Sequence, residues 1–186
     1  MENKYSLAFI PDSNTIEEIK KMKLQLADKI GWYNSKNSLA HITICEFSTT
    51  ENNIEIVKKQ IDRKTSTYSP IEIELNGFDS YPNGAFFIKP SEDSISELKN
   101  IMKSLTTTLS INKIYKSSEP HLSIARKLDD KKLNTANNLF QKINLSFLCH
   151  SVFLRKFNPS IKQFEIIDSF EFKNEDSSEE IQGSLF

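Results

Sequence analysis

Two short segments carry the residue types that could do chemistry: His41-Ile42-Thr43-Ile44 and His121-Leu122-Ser123-Ile124. In a strand, residues i and i+2 share a face, so His41 and Thr43 point one way while Ile42 and Ile44 anchor the other side. His121 and Ser123 repeat the arrangement over Leu122 and Ile124. Imidazole ionises at about 6.5, so near neutral pH one ring can accept a proton while a second donates one. Hydroxyls can donate hydrogen bonds to non-bridging phosphate oxygens and hold phosphorus between two such rings. The set suits general acid–base cleavage of a phosphodiester, with His41, Thr43, His121 and Ser123 as catalytic residues and no metal or cofactor called for. Which histidine is acid and which is base is left open. The third histidine, His150, follows Leu148-Cys149 with no Thr/Ser-apolar pair after it and reads as structural.

The elements that must position these residues are written twice. Phe9-Ile10-Pro11 and Phe87-Ile88-Lys89-Pro90 each end an apolar stretch, and Thr15/Glu18 and Ser94/Glu97 follow in the spacing of a capping box. Helical periodicity comes next: Ile16, Ile19, Met22, Leu26 and Ile30 in the first copy, Ile95, Leu98, Ile101, Leu105 and Leu109 in the second. Polar loops (Gly31 to Ser38, Asn112 to Glu119) lead into the two histidine strands, and further helices are expected at about 51–64 and 129–143. Strands are expected at about 71–79, 85–89, 145–157 and 163–172, the first two joined as a hairpin by Pro82-Asn83-Gly84. The pattern predicts one α+β domain over 1–172, bilobal and pseudo-twofold. Its lobes come from repeats of about 5–79 and 84–157 plus a final strand 163–172, with mainly antiparallel sheets lining a central cleft and helices outside. Residues 173–186 read as a disordered acidic tail.

With 38% hydrophobic and 26% charged residues the chain is ordinary for a folded soluble protein. No apolar run approaches a membrane span and no signal-peptide pattern opens the chain, so the expected location is the cytoplasm, with no membrane partner. A net charge of −1 offers long nucleic acid no global attraction. A nucleotide substrate would be small, or an end held by a local basic patch. Cys45 and Cys149 lie in apolar runs and read as reduced core residues. A monomer is expected.

At the two motifs the chain resembles the two-histidine (2H) phosphoesterase superfamily, whose signature is a pair of His-x-Thr/Ser-x motifs about 80 residues apart; here His41 and His121 are separated by 80. Within it, the chain looks like the bacterial 2′-5′ RNA ligase and cyclic phosphodiesterase branch. Pro120-His121-Leu122-Ser123-Ile124-Ala125-Arg126 is close to that branch's second motif, whereas the first has Ala40 where proline often stands. The likeness runs from about Tyr5 to Phe172. It implies the 2H fold and cleavage of 2′,3′-cyclic or 2′-5′-linked phosphodiesters on a small nucleotide or an RNA end. Two other readings stand beside it: an RNA-end binding module with little catalysis, and a ligase that joins ends by the reverse reaction.

Arg126 is a candidate phosphate contact, as its counterpart is in relatives, but strict alternation turns it away from His121 unless the strand ends or bulges there. Trp32, Tyr33 and Tyr115 lie in the loops before the motifs, where a ring could stack on a base. The plainer alternative is that they cover lobe edges. Arg155 and Lys156 read as exposed, solvated strand charges. Finally, Gln182-Gly183-Ser184-Leu185-Phe186 resembles the Gln-x-x-Leu-Phe peptides that dock bacterial DNA sliding clamps, which implies a clamp contact through Gln182, Leu185 and Phe186. Otherwise those side chains fold back on their own domain or fray.

Overall fold

The computed structural model describes residues 1–175. In chain order the elements are β1 (Glu2–Phe9), α1 (Ser13–Ile30), β2 (Ile42–Thr50), α2 (Glu51–Thr65), β3 (Ile71–Tyr81), β4 (Ala85–Pro90) and α3 (Glu92–Thr108). There follow β5 (Ile114–Lys116), β6 (Leu122–Ala125), α4 (Asp130–Leu139), β7 (Leu145–Cys149), β8 (Ser151–Asn158) and β9 (Gln163–Glu171). The helices bury the stripe their periodicity lays out. Ile19 and Leu26 of α1, Ile54, Val57 and Ile61 of α2, and Leu98 and Leu105 of α3 join Leu7, Phe9, Ile42, Ile88 and Leu122 of the sheet in one apolar cluster.

The strands form one antiparallel sheet in the order β7-β3-β4-β6-β2-β1-β8-β9, with β5 added alongside β2. Reflected about the β6/β2 contact, this order exchanges β2 with β6, β1 with β4 and β8 with β3. The written repeat is therefore a real pseudo-twofold, and the fold is the expected bilobal α+β arrangement. The lobes nevertheless are not the repeats 5–79 and 84–157 taken whole. β3, from the first repeat, pairs with β4 of the second, and β8, from the second, pairs with β1 of the first. The tight turn at Tyr81–Gly84 favours the local hairpin, so β3 is captured by the strand that follows it.

The expected strand 145–157 is broken at His150. Cys149 pairs with Ile71 near one end of the sheet, and Ser151 pairs with Glu171 at the other. With a single residue between them, the sheet must curl until its ends approach, giving a half-barrel. His150 serves this corner through its carbonyl, which accepts from the Phe172 amide at 2.8 Å.

Other expectations shift by a few residues. The helix caps are Asp12 and Ser91, whose side chains accept from the amides of Thr15 and Ser94 at 2.9 and 3.3 Å. Thr15 and Ser94 stand at the third helical position instead and pin the helices to strands: Thr15 Oγ1 donates to the Ser146 carbonyl, and Ser94 Oγ accepts from the Glu74 amide. α4 stops at Leu139, not about 143, because Phe140 leaves the helix to stack on Phe78 and Phe86. The loop 112–119 contains β5. Asn174 and Glu175 donate their amides to the carbonyls of Tyr68 and Ser66, and the remainder of the expected tail, with Gln182, Leu185 and Phe186, lies outside the described residues.

Candidate active site

The two halves of the sheet meet where Ile42 of β2 pairs with Leu122 of β6. Antiparallel pairing at that residue sets Thr43 across from His121 and His41 across from Ser123. Cross-strand partners share a face, so all four polar side chains point to the same side, with nearest neighbours roughly 5 Å apart at Cβ. Ile42, Ile44, Leu122 and Ile124 are fully buried on the opposite side.

Each motif then carries a bulge at its fourth residue. Leu7 pairs with Cys45 and Ala8 with Thr43, so Ile44 is the extra residue in β2. Phe86 pairs with Ala125 and Phe87 with Ser123, so Ile124 is extra in β6. A bulge puts two consecutive side chains on one side, and Ile44, Cys45, Ile124 and Ala125 are all buried. Alternation therefore resumes one residue late. Glu46 and Arg126, which simple alternation would aim into the core, both face the cleft.

The histidines are held identically. His41 Nδ1 lies 2.7 Å from the Leu39 carbonyl, and His121 Nδ1 lies 2.9 Å from that of Glu119. A carbonyl only accepts, so Nδ1 carries the proton and Nε2 is the nitrogen left for substrate. The geometry at Ala40 matches that at Pro120. Burial pushes His41 down to about 3, with Arg155 the next cause, the Leu39 bond opposing, and Arg126 and Lys23 adding to the depression. Burial also lowers His121, which is partly restored by its Glu119 bond and the Glu119 charge and lowered further by Arg126. Its ring packs against Phe87 at 4.8 Å and meets Tyr81 edge-on at 5.9 Å.

A pocket of about 420 Å³ opens over this face, lined by Thr43, His121 and Ser123 with Glu46, Arg126 and Lys127 among its walls. Tyr81, Asn83, Ala85, Tyr115 and Ser117 complete the rim, and His41 is not among the lining residues. Glu46 is paired with Lys4 at 2.5 Å. A larger groove of about 1110 Å³ adjoins, sharing Glu46 and Tyr115. Tyr115 is 71% exposed at that junction; Trp32, 69% exposed, is not among the pocket's lining residues. Tyr33 is buried and donates its hydroxyl to the Lys23 carbonyl. Among the described residues no group of three or more His, Cys, Asp or Glu side chains is gathered as a metal site.

Two cations are buried near the site, one of them against its sequence reading. Arg155 is not an exposed rim charge: it is 3% exposed, donates from Nη2 to Ser6 Oγ at 2.7 Å and lies 5.3 Å over the Phe164 ring. Lys23 is 2% exposed and donates to the carbonyls of Ser35 and Ser38, which clamps the loop ahead of His41. Burial and the nearby Arg126 charge bring Lys23 down to about 8. The same loop is tied to the other motif by Ser35 Oγ donating to the Ile124 carbonyl and by the Asn34–Arg126 bridge. Glu46 could have been found from the sequence as the residue 80 before Arg126; nothing in the local pattern marks Tyr81, Phe87, Lys23 or Arg155.

The chain belongs to the 2′-5′ RNA ligase superfamily, whose family model matches residues 11–159. These are two-histidine phosphoesterases. Among solved structures, Escherichia coli LigT complexed with NADP+ aligns with a TM-score of 0.69 at 10% identity, covering 93% of this chain and 99% of that one. The Thermus thermophilus protein TT0787 gives 0.67 at 14% identity over 93% and 100%. Kluyveromyces marxianus Usb1 gives 0.58 at 14% over 91% and 98%. At these identities the likeness speaks for the fold. No curated protein matches the sequence.

Proposed function

We propose that this protein is a phosphodiesterase that opens 2′,3′-cyclic phosphates, or cleaves 2′-5′ linkages, on small nucleotides or RNA ends without a metal. The observation that carries this reading is the Ile42–Leu122 pairing, which sets two imidazoles and two hydroxyls on one face. One Nε2 takes a proton from water as its oxygen bonds to phosphorus. The other gives a proton to the ribose oxygen as the P–O bond breaks, and solvent exchange resets both rings. Thr43 and Ser123 donate to the non-bridging oxygens, whose charge grows in the transition state. Arg126 holds the phosphate and Tyr115 offers a face to the base. LigT has been solved with 3′-AMP, ATP and phosphate, in keeping with a nucleotide ligand.

The test is incubation with 2′,3′-cyclic AMP in excess EDTA, with the product monoester followed by phosphorus NMR. Multiple turnover to a single monoester supports the reading. Binding without turnover would leave the RNA-end binding module in its place. The Gln182, Leu185 and Phe186 peptide is a separate part of the proposal. Calorimetric titration of the host's sliding clamp should give binding that the Leu185→Ala/Phe186→Ala double variant abolishes, and binding indifferent to that change removes the idea.

A further inference from the structure

The two histidines are related by pseudo-symmetry, and among the neighbours that differ between the two lobes one pair differs in charge beside the rings. The bulges align Leu7 with Phe86, and so Ser6 with Ala85, one residue earlier in each strand. Ser6 pairs with Arg155 of β8 and Ala85 pairs with Tyr81 of β3. Arg155 and Tyr81 therefore occupy the same place in the two lobes. One supplies a buried cation and the other a neutral ring.

Arg155 has little to neutralise it. Its Nε is buried without a hydrogen-bond partner, and Nη2 reaches only a hydroxyl. The acid it feels is Glu46, whose carboxylate is already bound by Lys4. Burying a guanidinium in this way is costly, so its charge acts at longer range than in an ion pair. The charged groups acting on His41 are Arg155, Arg126 and Lys23, all cations from β8, the end of β6 and α1. Those acting on His121 are Arg126 and the carboxylate of Glu119, while Phe87 and Tyr81 contribute uncharged rings.

Resting on the phosphodiesterase reading, we infer that Arg155 is a positioning residue that splits the roles of the histidines: it keeps His41 proton-free to act as the base and leaves His121 to carry the proton as the acid. A bound phosphate draws both rings toward protonation, but its charge is shared and the asymmetry stays. His121 takes the proton first and delivers it to the leaving ribose oxygen. His41, facing three cations, accepts from water.

The test uses NMR titration of the histidine Hε1 signals in the full chain with saturating inorganic phosphate; with three histidines present, single substitutions assign each peak. His41 should titrate at least about one pH unit below His121. Arg155→Met should raise His41 by about one unit or more and leave His121 nearly unmoved, while Arg155→Lys restores the wild-type value. The acid limb of kcat/KM for cyclic phosphate should move up by the same amount in Arg155→Met. His41 titrating at or above His121 in the wild type overturns the inference, even if Arg155→Met fails to fold. Absence of cyclic-phosphate turnover in the wild type would strike the phosphodiesterase reading instead.

Discussion

Ile42 and Leu122 face each other across the seam of the sheet, and neither side chain touches the cleft. Their pairing nevertheless decides which polar groups meet, because a slip of one residue would turn His41 or His121 into the core. Two buried aliphatic residues thus set which polar side chains share the cleft face.

His41→Ala or His121→Ala should lower kcat on a 2′,3′-cyclic nucleotide by roughly 10²–10⁴-fold, as for loss of a general acid or base. The double variant should be little worse than either single one, because the rings act as a unit. Steady-state kinetics with matched circular dichroism spectra make the check. Wild-type rates in either single variant would sink the acid–base assignment.

Thr43→Ala and Ser123→Ala should cost about 10²-fold in kcat/KM if each hydroxyl meets a phosphate oxygen. Thr43→Ser keeps the donor and should be mild by comparison. If both alanine variants keep full activity, the hydroxyls serve the strands and not the phosphate.

Gly84 closes the hairpin that carries Tyr81 and Asn83 to the pocket. Its φ is +80°, and a Cβ there would lie 2.1 Å from the Leu128 carbonyl oxygen and 2.6 Å from the Leu128 nitrogen. The same contact holds the Leu128 amide on the Gly84 carbonyl at 3.0 Å. Gly84→Ala should therefore destabilise by at least about 2 kcal/mol, since backbone must move to admit the methyl. Urea unfolding measures it; a midpoint equal to wild type would mean the turn and the 126–129 loop are not locked together.

Stability should depend on pH through the histidines. In the folded protein His41 is held down to about 3 and His121 is also lowered, whereas in the unfolded chain both ionise at about 6.5. Below that pH the unfolded chain binds protons that the folded one refuses. Stability is then complete above about 6.5 and falls below it, by up to about 1.4 kcal/mol per pH unit for His41 down to about 3, with His121 adding in the same direction. Urea midpoints between pH 7.5 and 5 should decline, and His41→Asn should flatten the slope. An unchanged slope in His41→Asn would show that the ring ionises as freely folded as unfolded.

Much of this was readable in advance because the strand period and the helix period are local. The repeat, the four cleft side chains and the buried anchors all follow from alternation and spacing. What escaped depends on pairing between distant segments. The Ile44 bulge has no mark in its own sequence, and Arg155 reads as a surface charge until β1 and β9 flank it. Lys23 sits on a helix rich in exposed lysines, and only the returning loop at Ser35 and Ser38 buries it. Strand exchange was hidden for the same reason: each written repeat looks self-contained, yet β3 and β8 each join the half of the sheet begun by the other repeat.

That exchange also governs when the molecule can come into being. β1 leaves the ribosome well over a hundred residues before its outer neighbour, Ser151–Asn158. Until then one edge of β1 stays bare, and Ser6 has no arginine beside it. The half of the sheet built on β2 and β1 cannot finish until β8 and β9 arrive, so its completion is a late, long-range step. Such topologies fold slowly and expose strand edges to other chains meanwhile. The architecture that builds a symmetric cleft therefore gives the nascent protein a prolonged window of vulnerability, one that closes only when the strand bearing Arg155 docks.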